Sequence, residues 1–213
     1  MILLCIVTIF SKSTTANADD RYVKLCERYF TEFAEDYGKF GQKDGFTYLY
    51  SDKKNTATIV AIPMEQKKVA VPEKINGKTV TKIELMDVFS CSSNYYFRDE
   101  FYGEHEDNPV PKVEYLSIPK TVKVINIYAG IGLTEGYCGE LQSYLVHLKK
   151  FNVASANKWY RSYKGMLYTK NGKKLLLVPR KYMAKTVKVK KGTTKIADFA
   201  FSFCTNIKKV ILP

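Results

Sequence analysis

The sequence predicts a mainly β chain in which short coils repeat and stack into a solenoid, with a helix capping its N-terminal end and a β-hairpin inserted between coils. Three observations predict it. Hydrophobic residues make up 46% of the 213, with 16 Tyr and 12 Phe against a single Trp; Tyr, Val, Ile and Thr favour strands over helices. Apolar spacing is three to four residues before Gly41 and two in the segment that follows. Beyond residue 70 the chain repeats itself, with aliphatic anchors recurring around similar polar residues.

The elements follow in order. Residues 1–18 read as a secretory signal peptide. Ile2 to Phe10 is an apolar stretch of nine residues, and Ala16-Asn17-Ala18 offers a small-x-small cleavage site. The stretch is too short to span a bilayer, so no transmembrane span is expected in the mature chain. No Lys or Arg precedes it, and the alternative is a buried first strand. Residues 19–45 read as the helix and cap. Val23, Cys26, Phe30, Phe33 and Tyr37 form one apolar stripe; Asp19 or Asp20 can cap the start, and Gly38 or Gly41 can end it.

The repeat domain is expected over 46–213. It opens with a hairpin: Phe46, Tyr48 and Tyr50 alternate with polar residues, Asp52 to Asn55 supply a turn, and Thr56 to Ala61 alternate again. A short strand from Lys67 to Val71 ends at Pro72. Three stretches then correspond. Val71 and Ile83 anchor the first, Ile118 and Ile125 the second, Val189 and Ile196 the third. The anchors lie seven apart in the last two and twelve apart in the first, where Ile75-Asn76-Gly77-Lys78 is a local insertion. Cys91 and Cys204 each fall eight residues after their Ile, and Val189 to Leu212 spans 23 residues. One such coil cannot bury its apolar side alone, so coils need neighbours. Phe and Cys on the return limb are expected to fill the interior.

The pattern Ile-Pro-x-x-Val-x-x-Ile, followed by Ala-Phe-x-x-Cys-x-x-Ile-x-x-Val-x-Leu-Pro, resembles the BspA-type leucine-rich repeat family of bacterial surface proteins. Ile196 to Pro213 carries the closest match. Phe151-Asn152-Val153, Asn157, Tyr160-Arg161-Ser162 and Gly165-Met166-Leu167-Tyr168 resemble a variant repeat with a hairpin inserted between coils. The resemblance covers roughly residues 45 to 213 and departs from the pattern at 92–112 and 126–147. It implies an irregular leucine-rich repeat at a bacterial cell surface, or secreted, with a binding surface rather than a reaction. Ending at Leu212-Pro213, where another coil would begin, the chain is expected to be part of a longer protein.

Charge is uneven. The net charge is +13, but residues 149–213 hold 17 Lys and Arg against one acid, Asp198, while residues 1–148 carry −3. Such a segment is an electrostatic footprint for a polyanion, or a solvated lysine surface. An exported protein rarely meets nucleic acid, so nucleic acid is not expected as a partner. The expected partner is an extracellular protein or glycan, with polyanions among the candidates. Between Lys158 and Tyr182 cations interleave with aromatics, which nominates Lys158, Trp159, Arg161, Lys164, Lys170, Lys173, Lys174, Arg180 and Lys181 as a ligand surface. The competing reading makes Tyr160, Leu167 and Tyr168 the packing face of the hairpin.

No catalytic residues, cofactor or metal are expected, and the chain is not read as an enzyme. Cys138 with His105 and His147 lacks a recognisable motif. Asp99, Glu100, Glu104, His105, Glu106 and Asp107 match no calcium-loop spacing. Phosphate-loop, dinucleotide and zinc-protease motifs are absent. After signal cleavage four cysteines remain: Cys26, Cys91, Cys138 and Cys204. An even number suits disulfides, yet Cys91 and Cys204 share a repeat position that suits a small buried thiol. The expected function is protein or glycan binding and adhesion. The alternatives are a passive spacer in a larger surface protein and, more remotely, a cell-wall hydrolase.

Overall fold

The computed structural model describes residues 39–85, 111–126 and 145–213. The signal segment, residues 19–38 of the expected helix, the acidic loop, Cys26, Cys91 and Cys138 lie outside the described residues.

The expected helix and cap is corrected at its C-terminal end. Lys39–Lys43 is a strand, β1, antiparallel to β2, Phe46–Ser51. Asp44 and Gly45 join them with φ of 52° and 79°. Asp-Gly with both φ positive is the two-residue hairpin turn whose twist matches that of the strands it connects. The expected helix therefore does not run to Gly41, and its other expected end, Gly38, lies outside the described residues.

β3, Thr56–Ala61, pairs antiparallel with β2 as expected. The remaining strands are β4 Lys68–Ala70, β5 Lys74–Ile75, β6 Lys78–Ile83, β7 Tyr115–Ile118, β8 Val124–Ile125, β9 Lys150–Val153, β10 Tyr160–Tyr163, β11 Met166–Thr169, β12 Lys174–Leu177, β13 Thr186–Lys188, β14 Lys195–Ile196 and β15 Lys209–Ile211. The Ile75-Asn76-Gly77-Lys78 insertion is the β5–β6 hairpin, turned at Asn76-Gly77.

The coils are real. β4, β7 and β9 form one parallel sheet, with Val69, Leu116 and Phe151 in register. β13 and β15 form a second, pairing Val187 with Val210, 23 residues on. On the other side of the coil β6 pairs parallel with β8, matching Ile83 to Ile125, and β12 pairs parallel with β14, matching Leu175 to Ile196. The anchors aligned in the sequence at 83 and 125 are thus neighbours in space. Each coil enters its strand by the same device: one carbonyl of the preceding coil accepts two successive amides. Lys67 O takes the amides of Glu114 and Tyr115, Glu114 O those of Lys149 and Lys150, and Lys185 O those of Lys208 and Lys209. This satisfies backbone groups that a bend would otherwise leave unpaired.

The inserted hairpin is a three-stranded meander, β10-β11-β12. It separates two apolar clusters, and its strands β11 and β12 are buried on both faces while β10 is half-buried to exposed. Leu167, Leu176 and Leu177 join the cluster of Ile59, Ile83, Leu116 and Phe151, while Met166, Tyr168, Leu175 and Val178 join the cluster of Val187 and Ala197. Leu167 and Tyr168 therefore pack into different clusters rather than forming a single packing face. A strand covered on both sides reads as a continuous apolar run, which Leu175-Leu176-Leu177-Val178 is.

The return limb after β14 departs from expectation. Ala197 and Ala200 are buried, but Phe199 and Phe203 are 60% and 51% exposed. Both have φ near 58°, in the left-handed region, and Arg180 lies 4.8 Å over the Phe203 ring. Cys204 is a free thiol, packed against the second cluster with its Sγ 3.5 Å from Val178 O. Burial lifts its pKa to about 11. This fits the small-hydrophobe reading of that position.

Candidate binding surface

The sheet of β4, β7 and β9 alternates strictly. Val69, Leu116, Ile118 and Phe151 are buried. The residues between them face outward, and the parallel register arranges them in rows. Lys68, Tyr115 and Lys150 form one row, and Ala70, Ser117 and Asn152 form the next. The second row is built of small polar or methyl side chains, so the surface is troughed. A cavity of about 490 Å³ lies along it, lined by Lys68, Val69, Ala70, Tyr115, Ser117 and Asn152.

The electrostatics follow from the same register. Lys68 and Lys150 are exposed at either side of half-buried Tyr115. Two strand spacings separate them, about 10 Å. At the strand entry, Lys67, Glu114 and Lys149 occupy equivalent positions in successive coils. Glu114 is neutralised by Lys149, 2.8 Å away. That hydrogen bond holds the Glu114 carboxyl below its usual range and lifts the Lys149 ammonium. On the second parallel sheet Lys188 and Lys209 project outward, with Lys185 and Lys208 at the strand entries. Both parallel sheets therefore present lysines outward, and the first also offers a hydroxyl, an amide and a phenol as uncharged partners.

The nine residues nominated from the sequence fall on and around the meander. Lys158 and Trp159 precede β10, Arg161 is on it, and Lys164 sits in the β10–β11 turn with φ 53°. Lys170 and Lys173 flank the β11–β12 turn, and Lys174 begins β12. Arg180 and Lys181 follow Pro179. Lys158, Arg161, Lys164, Lys170, Lys173 and Lys181 are exposed, Lys174 and Arg180 half-buried, and Trp159 is 38% exposed. Several are engaged within the chain: Lys170 Nζ donates to Ser155 O, Arg180 stacks on Phe203, and Lys123 lies over Trp159. They flank turns on different parts of the meander. The register-aligned trough was missed because its residues are individually ordinary. The correspondence of Val71-Pro72 with Ile118-Pro119 carries it once extended toward the N-terminus, since that places Ala70 beside Ser117 and Lys68 beside Tyr115.

Among the described residues, no group of three or more His, Cys, Asp or Glu could hold a metal. No helix among them is long and apolar enough to cross a membrane.

Stacked parallel coils with a troughed outer face define a repeat protein with an extended surface. No family model matches the chain, and no curated protein does. Solved structures do. A leucine-rich repeat protein from Eubacterium ventriosum is 17% identical with a TM-score of 0.41, over 78% of this chain and 57% of that one. A leucine rich cell surface protein from Faecalibacterium prausnitzii is 16% identical with a TM-score of 0.37, over 84% and 44%. The pneumococcal vaccine antigen PcpA is 14% identical with a TM-score of 0.35, over 83% and 65%. The first two of these structural neighbours are bacterial leucine-rich repeat or leucine rich proteins, and the chain spans about half the length of the chains it matches.

Proposed function

We propose that the chain is an extracellular binding module, not an enzyme, whose ligand lies across the outer face of the parallel sheets. One observation carries this: the register sets Lys68, Tyr115 and Lys150 in a row beside a trough floored by Ala70, Ser117 and Asn152. An open, shallow surface suits a chain molecule better than a small metabolite, which deeper and mostly apolar pockets enclose. Cations spaced about 10 Å apart, with Tyr115 between them and small hydrogen-bonding groups in the adjoining row, suit an extended anionic glycan or an acidic protein segment. The basic turns of the meander, Lys158 to Lys181, contribute long-range attraction to the same ligand rather than its seat. The bacterial cell surface is the proposed setting, motivated by the N-terminal export pattern and the repeat resemblance.

The test is retention on an anionic polymer matrix such as immobilised teichoic acid. The double variant Lys68→Glu, Lys150→Glu should elute at clearly lower salt than the parent. Lys170→Glu, Lys173→Glu carries the same charge change on the meander and should shift elution less. Equal shifts would show that only net charge matters, and would remove the trough as the seat.

A further inference from the structure

A second cavity lies on the other side of the fold and has a different chemistry. It measures about 360 Å³ and is lined by Phe40, Gly41, Gln42, Tyr48, Tyr50, Asp52, Asn76 and Lys78. Three strands and two turns converge there: β1 and β2, the Asp52 to Asn55 turn after β2, and the Asn76-Gly77 turn leading into β6.

The lining combines flat rings with paired hydrogen-bonding groups. Tyr48 and Tyr50 lie 6.0 Å apart at 44°. The Tyr48 ring crosses Gly41, where a Cβ would stand 2.6 Å from the phenol oxygen. Asn76 Nδ2 donates to that phenol, so the phenolic proton remains free to donate elsewhere. Gln42 makes one long 3.5 Å bond to Thr47 and keeps its carbonyl oxygen. Asp52 accepts Lys39 on Oδ2 at 2.9 Å and Lys78 on Oδ1 at 2.7 Å. A carboxylate oxygen bonded once still has lone-pair capacity for a further donor. Lys78 also sits 5.9 Å over the Tyr50 ring.

We infer that this cavity is a subsite for one neutral pyranose ring. The C–H face of a sugar is apolar and flat, and the half-buried Tyr50 ring offers a matching face. Its vicinal hydroxyls each donate and accept; Gln42, Asn76 and the Tyr48 phenol can do both in return, and the Asp52 carboxylate accepts. The cavity volume lies at the small end of the range for ligand pockets, about 300–1,000 Å³, and suits a single ring. Both lysines are already committed to Asp52, and that carboxylate disfavours an anionic sugar. The site is independent of the cationic trough: its ligand is uncharged, and its lining shares no residue with the other.

The experiment is a two-dimensional NMR titration of the intact chain with glucose, galactose, N-acetylglucosamine and glucuronic acid, up to tens of millimolar. At least one neutral sugar should saturably shift the amides of Gln42, Tyr50, Asp52 and Asn76, with no dependence on salt. Gln42→Ala, at a half-buried position on edge strand β1, should weaken this by at least about fivefold, roughly 1 kcal/mol for a lost hydrogen bond. Tyr50→Ala should abolish it while leaving the dispersed spectrum of the remaining sheet. No saturable shift from any neutral sugar would overturn the proposal. So would a shift confined to the trough residues, or glucuronic acid binding better than the neutral rings.

Discussion

Replacing Asn157 with alanine removes a buried four-bond stitch between two coils. Asn157 is fully buried. Its Nδ2 donates to Pro119 O at 2.8 Å and Val122 O at 2.9 Å, in the coil that precedes it. Its Oδ1 accepts the amides of Trp159 and Tyr160, both at 2.8 Å, at the start of the meander. Alanine deletes all four bonds and strands two carbonyls and two amides. A buried polar group left unsatisfied costs about 1–3 kcal/mol. Water entering the vacated space relieves part of this, and Trp159 is partly exposed, so the loss is about 3–5 kcal/mol. Urea unfolding followed by far-UV circular dichroism measures it. With a slope of about 2 kcal/mol per molar, the midpoint should fall by roughly 1.5–2.5 M. Asn157→Asp keeps the acceptor for both amides, but it loses both donors and turns a charge toward two carbonyls. It should be no more stable than alanine. A midpoint loss under about 0.5 M for Asn157→Ala, near 1 kcal/mol, would refute the claim that this side chain ties the coils together.

Three further predictions concern other parts of the fold. Gly165→Ala should destabilise by about 1–3 kcal/mol, because φ is +84° and a new Cβ would stand 2.9 Å from Lys150 Cγ; a thermal midpoint equal to the parent's contradicts this. Cys204 should react with iodoacetamide at pH 8 far more slowly than the urea-unfolded chain does. Its folded pKa is raised to about 11 by burial, so the folded state favours the neutral thiol; the associated stability is complete below the unfolded pKa near 9 and is lost as pH rises toward 11. On the acid side, the Asp52 and Glu114 carboxyls are held low, chiefly by hydrogen bonds from Lys78 and Lys149. Their contribution is present above the unfolded carboxyl range and is lost as pH falls through and below it. Both pairs are solvent-accessible, so about 1 M salt should flatten that acid limb.

The repeat architecture was legible because its signals are local and redundant. Ile83, Ile125 and their polar neighbours align by eye, and the structure pairs them directly. Asn76-Gly77 and the Asp52 to Asn55 turn announce their hairpins by chemistry alone. Asp44-Gly45 carries the same turn chemistry, but it falls inside the 19–45 segment read as helix and cap. The Phe199 and Phe203 positions failed for another reason: the repeat pattern fixes which residues are apolar, whereas left-handed φ values decide where these two point. The binding face was the least legible. A basic segment is visible in composition, and it drew attention to the meander between Lys158 and Lys181. The trough depends on register between strands 35 and 47 residues apart, and no local window contains it. The buried role of Asn157 was hidden for the same reason, since its carbonyl partners lie in another coil.

The central claim is that ligand lies across Lys68, Tyr115 and Lys150 on the outer parallel face. Hydrogen exchange measured by mass spectrometry, with and without a saturating anionic glycan such as teichoic acid, tests it most directly. The account predicts slowed exchange in peptides covering 67–71, 114–118 and 149–153, with smaller changes over 158–181. Protection confined to the meander turns, with those three strands unchanged, would contradict it.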